Sequence, residues 1–158
     1  MWILGVRNSE EGHFFLDVEL QICHAHFFIP AFQKEPRLLR EKLRLDKAGL
    51  DNAINRLAAM GLVEVAGEQV RSRQQFLHLE KNSTLSTQNH RNWRVYAAHV
   101  GRARGSSDLF FSSTVTSDRR MRKRLIDALK AVIADFHAGL AATADDEAFQ
   151  LNIDVFGL

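Results

Sequence analysis

Lys47, Asn52, Asn55 and Arg56 recur at intervals that set amide, ammonium and guanidinium groups along one side of a short helix. Such head groups match the edges of base pairs: Asn pairs bidentately with adenine, and Arg or Lys with guanine. Arg40 and Arg44 precede them, and Arg71 and Arg73 come after. These four are cations that phosphate oxygens attract whatever the base sequence. Asp51 sits among the base-reading candidates and repels phosphate, although its carboxylate can accept from the cytosine amino group. The chemistry on offer is recognition of double-stranded DNA. The alternative, from another class, is a protein-interaction module on the same scaffold that binds no DNA.

Other groupings are weaker. Cys23, His24 and His26, with His13, look like metal ligands in composition. On a helix, however, residues 23 and 26 share a face while 24 points away, and no second Cys/His pair stands at zinc-finger spacing. They read as core or surface side chains, with no metal and no cofactor implied. The basic run RRMRKR, residues 119–124, begins a helix, the end of the helix dipole that disfavours cations. It reads as a solvated face or as a seat for phosphate or an acidic partner. Asp145, Asp146 and Glu147 read as a solvated acidic turn, and Ser112, Ser113 and Thr114 as ordinary strand hydroxyls. No phosphate loop, nucleophile elbow or H-E-x-x-H motif occurs, so the chain does not read as an enzyme.

The elements that must hold these residues can be read from periodicity. Residues 13–29 are apolar with Phe15, Val18 and Ile22 at helical spacing, which predicts one buried helix. Pro30 and Pro36 bracket a break. Residues 37–43 form a short amphipathic helix through Leu38, Leu39 and Leu43. Asp46 is a good N-cap for the next helix, which buries Leu50, Ile54, Leu57 and Ala58 and stops at Gly61. Residues 62–65 and 70–73 then read as two strands about a turn at residues 67–69. Helix, turn, helix, strand, turn, strand is the order of a winged helix-turn-helix, placed at residues 13–78. In that motif the second helix enters the major groove, and paired copies read half-sites one helical turn apart.

Residues 79–89 are small and polar and read as a linker. Residues 90–158 then read as an α-β-α-β unit for dimerisation or sensing. Its parts are a helix over 90–104, a strand over 109–116, a long helix over 119–142 capped at Ser117 and Asp118, and a strand over 148–156. The fold class is therefore α+β.

Composition agrees. With 158 residues, 46% of them hydrophobic and 25% charged, the chain can bury a core. The lone Cys23 forms no internal disulfide, and the first six residues are apolar but too short to span a bilayer. A cytoplasmic protein with no membrane partner is expected. The net charge of +2 is uneven: residues 32–60 and 90–117 carry +3 each, residues 118–124 carry +4 and residues 125–158 carry −5. Basic character in the middle of the chain suits a polyanion.

Three segments resemble the C-terminal portion of the bacterial family named domain of unknown function 4423, whose members are described as transcriptional regulators. They are AINRLAAMGLVE (residues 53–64), DLFFSSTVTSDRRMRKRLIDALKAVIADF (108–136) and FQLNIDVFGL (149–158). The second is similar to the family's S-S-x-T-x-x strand and long helix. The third is similar to its closing strand, Y-Q-L-N-I-Q-F-F-P-L, with Gly157 in place of proline. The resemblance runs from Pro36 to Leu158 and implies DNA binding by a truncated or divergent member, its N-terminal helical region missing or reduced. It implies no reaction, and names neither an effector nor an operator.

Overall fold

Asp17 divides the first apolar stretch. A computed structural model of the chain describes residues 9–73, 83–100, 108–140 and 142–156. Residues 13–29 hold two helices rather than the single one expected, α1 (Ser9–Leu16) and α2 (Val18–His26). Asp17 lies between them in extended backbone, and its Oδ1 accepts from the Leu20 N–H at 3.0 Å. A short carboxylate captures free backbone donors better than it continues a helix, so it starts a new one. The break re-aims the second segment. Leu20, Cys23 and Phe27 go into the core, whereas Val18 and Ile22 are only half-buried.

The chain falls into two units, residues 1–102 with 145–152, and residues 103–144 with 153–158. In the first unit, α3 (Pro30–Lys34) fills the expected break between the prolines, with Pro30 where its missing N–H costs nothing. Next come α4 (Arg37–Leu43) and α5 (Lys47–Ala59). Asp46 Oδ1 accepts from the Gly49 N–H at 2.6 Å and so caps α5. Gly61 leaves that helix with φ of 71°, a conformation that favours glycine. Strands β1 (Val63–Ala66) and β2 (Gln69–Ser72) pair antiparallel, Val63 opposite Ser72 and Ala66 opposite Gln69. Only the first of the two loop residues, Gly67, has positive φ, the pattern of a type II′ turn.

Helices α2, α4 and α5 and the hairpin share one core. Phe27, Leu39 and Leu57 have no exposed surface, and Leu20, Leu50, Leu62, Val63 and Val70 are buried around them. Each such side chain contributes about 1.5–3 kcal/mol. The hairpin is also tied to the end of α2: Ser72 Oγ donates to the His24 carbonyl at 2.7 Å and Ser72 N–H to the Phe27 carbonyl at 3.2 Å.

Helix α6 (Thr84–Val100) revises the boundary drawn from sequence. Residues 84–89, expected in a linker, are helical. The whole of α6, expected to open the second unit, packs on α1 and α2 in the first. Trp93 is buried and its Nε1 donates to Gln21 Oε1 at 3.1 Å; Asn92 Nδ2 donates to the Leu16 carbonyl at 2.8 Å. Asn89, from the stretch that resembles a linker, accepts from Gln21 Nε2 at 3.1 Å. Residues 74–82 and 101–104 of the expected elements lie outside the described residues.

In the second unit, α7 (Arg119–Leu140) is the long helix expected, with Asp118 Oδ1 accepting from Met121 N–H at 2.6 Å. The strands expected at 109–116 and 148–156 do not form. Residues 108–118 and 144–156 are irregular, and Leu109 and Phe111 are 89% and 83% exposed. A strand needs a neighbour to take its backbone hydrogen bonds. Among the described residues only β1 and β2 pair as strands. The architecture there is thus α+β, helices with one small two-stranded sheet, and no α-β-α-β unit forms among those residues. No helix among the described residues is long and apolar enough to cross a membrane.

Candidate nucleic-acid interface

Burial of one face of α5 fixes what the other presents. Leu50, Ala53 and Leu57 are buried and Ile54 half-buried, which leaves Lys47, Ala48, Asp51, Asn52 and Asn55 exposed on the opposite side. Lys47 opens the helix, where free backbone N–H groups already draw anions. The two asparagines lie one turn apart on that face.

Arg56 stands apart from them. Its Nη1 donates to Asp17 Oδ2 at 2.6 Å, and both side chains are about one-third exposed. The carboxylate that caps α2 therefore also turns this guanidinium toward α2. Sequence periodicity places Arg56 beside Asn55 and Asn52, but a partner 39 residues away cannot be seen in that pattern.

The cations around α5 differ in the same way. Arg44 is exposed at the C-terminal end of α4 in the left-handed region, φ 56°, the one described non-glycine residue there. Arg71 is exposed on β2. Arg73, just beyond β2, lies 3.3 Å from Glu64 of β1, so part of its charge is answered within the hairpin. Arg40 is half-buried, and its buried Nε has no hydrogen-bond partner. Acidic groups share this surface: Asp51, Glu64 and Glu68 are all exposed.

The cysteine and histidines lie beneath. His24 stands edge-on between Phe14 and Phe28, ring centroids 5.5 and 5.4 Å away. Burial holds its pKa down to about 4, against a weaker opposing hydrogen bond to Leu62. Burial also lowers His26, whose Nδ1 is 2.8 Å from the Ile22 carbonyl; the Lys42 charge adds to the lowering. Both histidines are neutral core side chains at neutral pH. Burial, with Glu19 and Asp17 nearby, pushes the Cys23 thiol up to about 12, so it is not a ready nucleophile. Among the described residues no three His, Cys, Asp or Glu side chains gather closely enough to hold a metal ion. His26, Lys42, Trp93 and Tyr96 line a cavity of about 580 Å³ in the first unit.

The profile of a family described as "Domain of unknown function (DUF4423)" matches residues 8–158. The match takes in α1, α2 and α3 as well as the segment from Pro36 onward, so the likeness is not confined to the C-terminal portion expected from sequence. No curated protein and no solved structure gives a significant match.

Proposed function

The chain belongs to the DUF4423 family, and we propose that α4, α5 and the β1–β2 hairpin form a winged helix-turn-helix that binds double-stranded DNA as a transcriptional regulator. The observation that carries this reading is the open face of α5. Lys47, Asn52 and Asn55 stand exposed on a helix whose opposite face is locked into the core, with a hairpin pinned beside it. A helix of 13 residues is roughly 20 Å long and fits the major groove. Lys47, Asn52 and Asn55 meet base edges, and Asp51 selects against bases that offer it no donor. Arg44 and Arg71 meet phosphates from the two sides, with Arg73 and Arg40 in support. Arg56 contributes by holding α5 to α2, and reaches DNA only if Asp17 releases it.

A second reading, protein recognition on the same scaffold, is favoured by the acidic groups on the hairpin. Glu64 partly answers Arg73, and Glu68 sits in the turn at the hairpin's tip. In that reading the exposed Val65, 48% open, is a contact residue and α5 reads no bases.

Selection from a random duplex pool separates the two. The DNA reading predicts an enriched sequence for the wild-type chain and loss of preference at one or two positions for Asn55→Ala, about 1–3 kcal/mol of discrimination. A pool that emerges without enrichment, or an Asn55→Ala protein that selects the same sequence with the same stringency, contradicts it.

A further inference from the structure

The cavity in the first unit has the size of a small-molecule site. Its volume is about 580 Å³, and every residue lining it belongs to that unit. Helices α1 and α6 give it aromatic walls. Phe14 meets Phe15 edge to face, ring centroids 5.2 Å apart, and Trp93 meets Tyr96 in the same way at 5.8 Å. Rings so placed pack well on a planar apolar body.

The charge of the lining has one sign. Among the described residues it includes Lys42 and no aspartate or glutamate. The Lys42 Nζ lies 5.6 Å from the centre of the Phe32 ring, and Phe32 stands edge-on to His26 with centroids 5.1 Å apart. The ammonium and the His26 imidazole therefore share one side of the cavity. At Tyr96, by contrast, burial and then the Glu19 charge disfavour an anion. A bound anionic group belongs at Lys42.

The wall also holds acceptors in need of donors. His24 and His26 are 5% and 4% exposed, and Nε2 of each is buried with no hydrogen-bond partner among the described residues. The Ile22 carbonyl, 2.8 Å from His26 Nδ1, can only accept. The proton of the neutral His26 ring is therefore on Nδ1, and Nε2 carries a lone pair. Leaving a buried acceptor unpaired is costly, and a donor on a ligand relieves that cost.

We propose that this cavity binds a small planar aromatic acid that also carries a hydroxyl or N–H donor. Phe14, Trp93 and Tyr96 pack on its ring system, Lys42 meets its carboxylate at the mouth, and His26 Nε2 accepts from its donor. No residue of α5 lines the cavity, and binding is measured without DNA. Failure here and failure of DNA binding are therefore separately visible.

Isothermal titration calorimetry of the full chain with 6-hydroxy-2-naphthoate tests the assignment. Two analogues accompany it: 2-naphthoate, which lacks the donor, and 2-naphthol, which lacks the carboxylate. The hydroxynaphthoate is expected to bind about tenfold more tightly than either. His26→Phe keeps a ring against Phe32 and is expected to reduce its affinity to that of 2-naphthoate, whose own binding stays unchanged. Lys42→Met is expected to reduce it to that of 2-naphthol. Ala25 lines the cavity at an exposed helical position, so Ala25→Trp is expected to abolish binding of all three while the urea midpoint holds. Location is read from fluorescence: Trp2→Phe leaves Trp93 as the one tryptophan, and the hydroxynaphthoate is expected to quench it. The comparison of the three compounds on the wild-type chain stands even where a variant unfolds. No binding of the hydroxynaphthoate at millimolar concentration overturns the proposal. So do equal affinities for the three compounds, or binding that survives Ala25→Trp.

Discussion

Asp17, Arg44 and His24 each carry a consequence that is local and measurable. Asp17 caps α2 and holds Arg56. Replacing it with Ala removes both, and an N-cap alone is worth about 0.5–2 kcal/mol. Asp17→Ala is expected to lower the unfolding free energy by a comparable amount, and with it the urea midpoint, while Arg56, released, adds a cation to the surface near α5. A midpoint equal to wild type contradicts the assignment. Arg44 sits in left-handed backbone, which costs a non-glycine residue about 1 kcal/mol. Arg44→Gly is therefore expected to leave stability unchanged or slightly raised while DNA affinity falls, a combination that separates a phosphate contact from a structural role. His24 gives a pH dependence. Its folded pKa of about 4 lies below its ordinary value of 6.5, so in that interval the unfolded chain binds more protons. Stability therefore falls as pH drops through the interval, by about 3 kcal/mol for this residue, and is flat above it. His26, lowered too, adds with the same sign. Urea midpoints at about pH 7.5 and about pH 5 should differ more for wild type than for His24→Phe; equal differences count against a neutral buried imidazole.

At the scale of elements, local signals carried the reading of α4, α5 and the hairpin. Asp46, Gly61 and Gly67 are each informative alone, because a cap, a helix stop and a tight turn are decided within a few residues. The exposed asparagines of α5 came directly from that periodicity. The parts that could not be read depend on distant partners. The split at Asp17 required a choice between capping and continuing. The start of α6 looks like a linker because residues up to Asn89 are small and polar, yet Asn89 meets Gln21, as Asn92 one turn on meets the Leu16 carbonyl. The alternation at residues 149–155 is a real strand pattern, yet no strand is assigned there and burial does not alternate. Leu57→Ala tests the shared core of α2, α4 and α5. Leu57 has no exposed surface, so a loss of about 2–5 kcal/mol is expected in denaturant unfolding. A loss below about 1 kcal/mol would mean that α5 is not anchored as described.

At the scale of the molecule, one unit offers a polar helix face and the other an uncovered apolar helix. The sequence signals the first through amide and basic residues and the second through the apolar spacing of Met121, Leu125, Ala128 and Val132. The proposed role of α5 is to read the groove. Whether the α5 face and the hairpin contact DNA is decided by affinity for duplex DNA as a function of salt. Phosphate contacts release counterions, so fluorescence anisotropy should show log affinity falling linearly with log salt. Arg71→Ala should weaken binding to every sequence alike and reduce the slope by about 1. Affinity that does not change with salt, or a slope that Arg71→Ala leaves untouched, would overturn DNA binding by this surface.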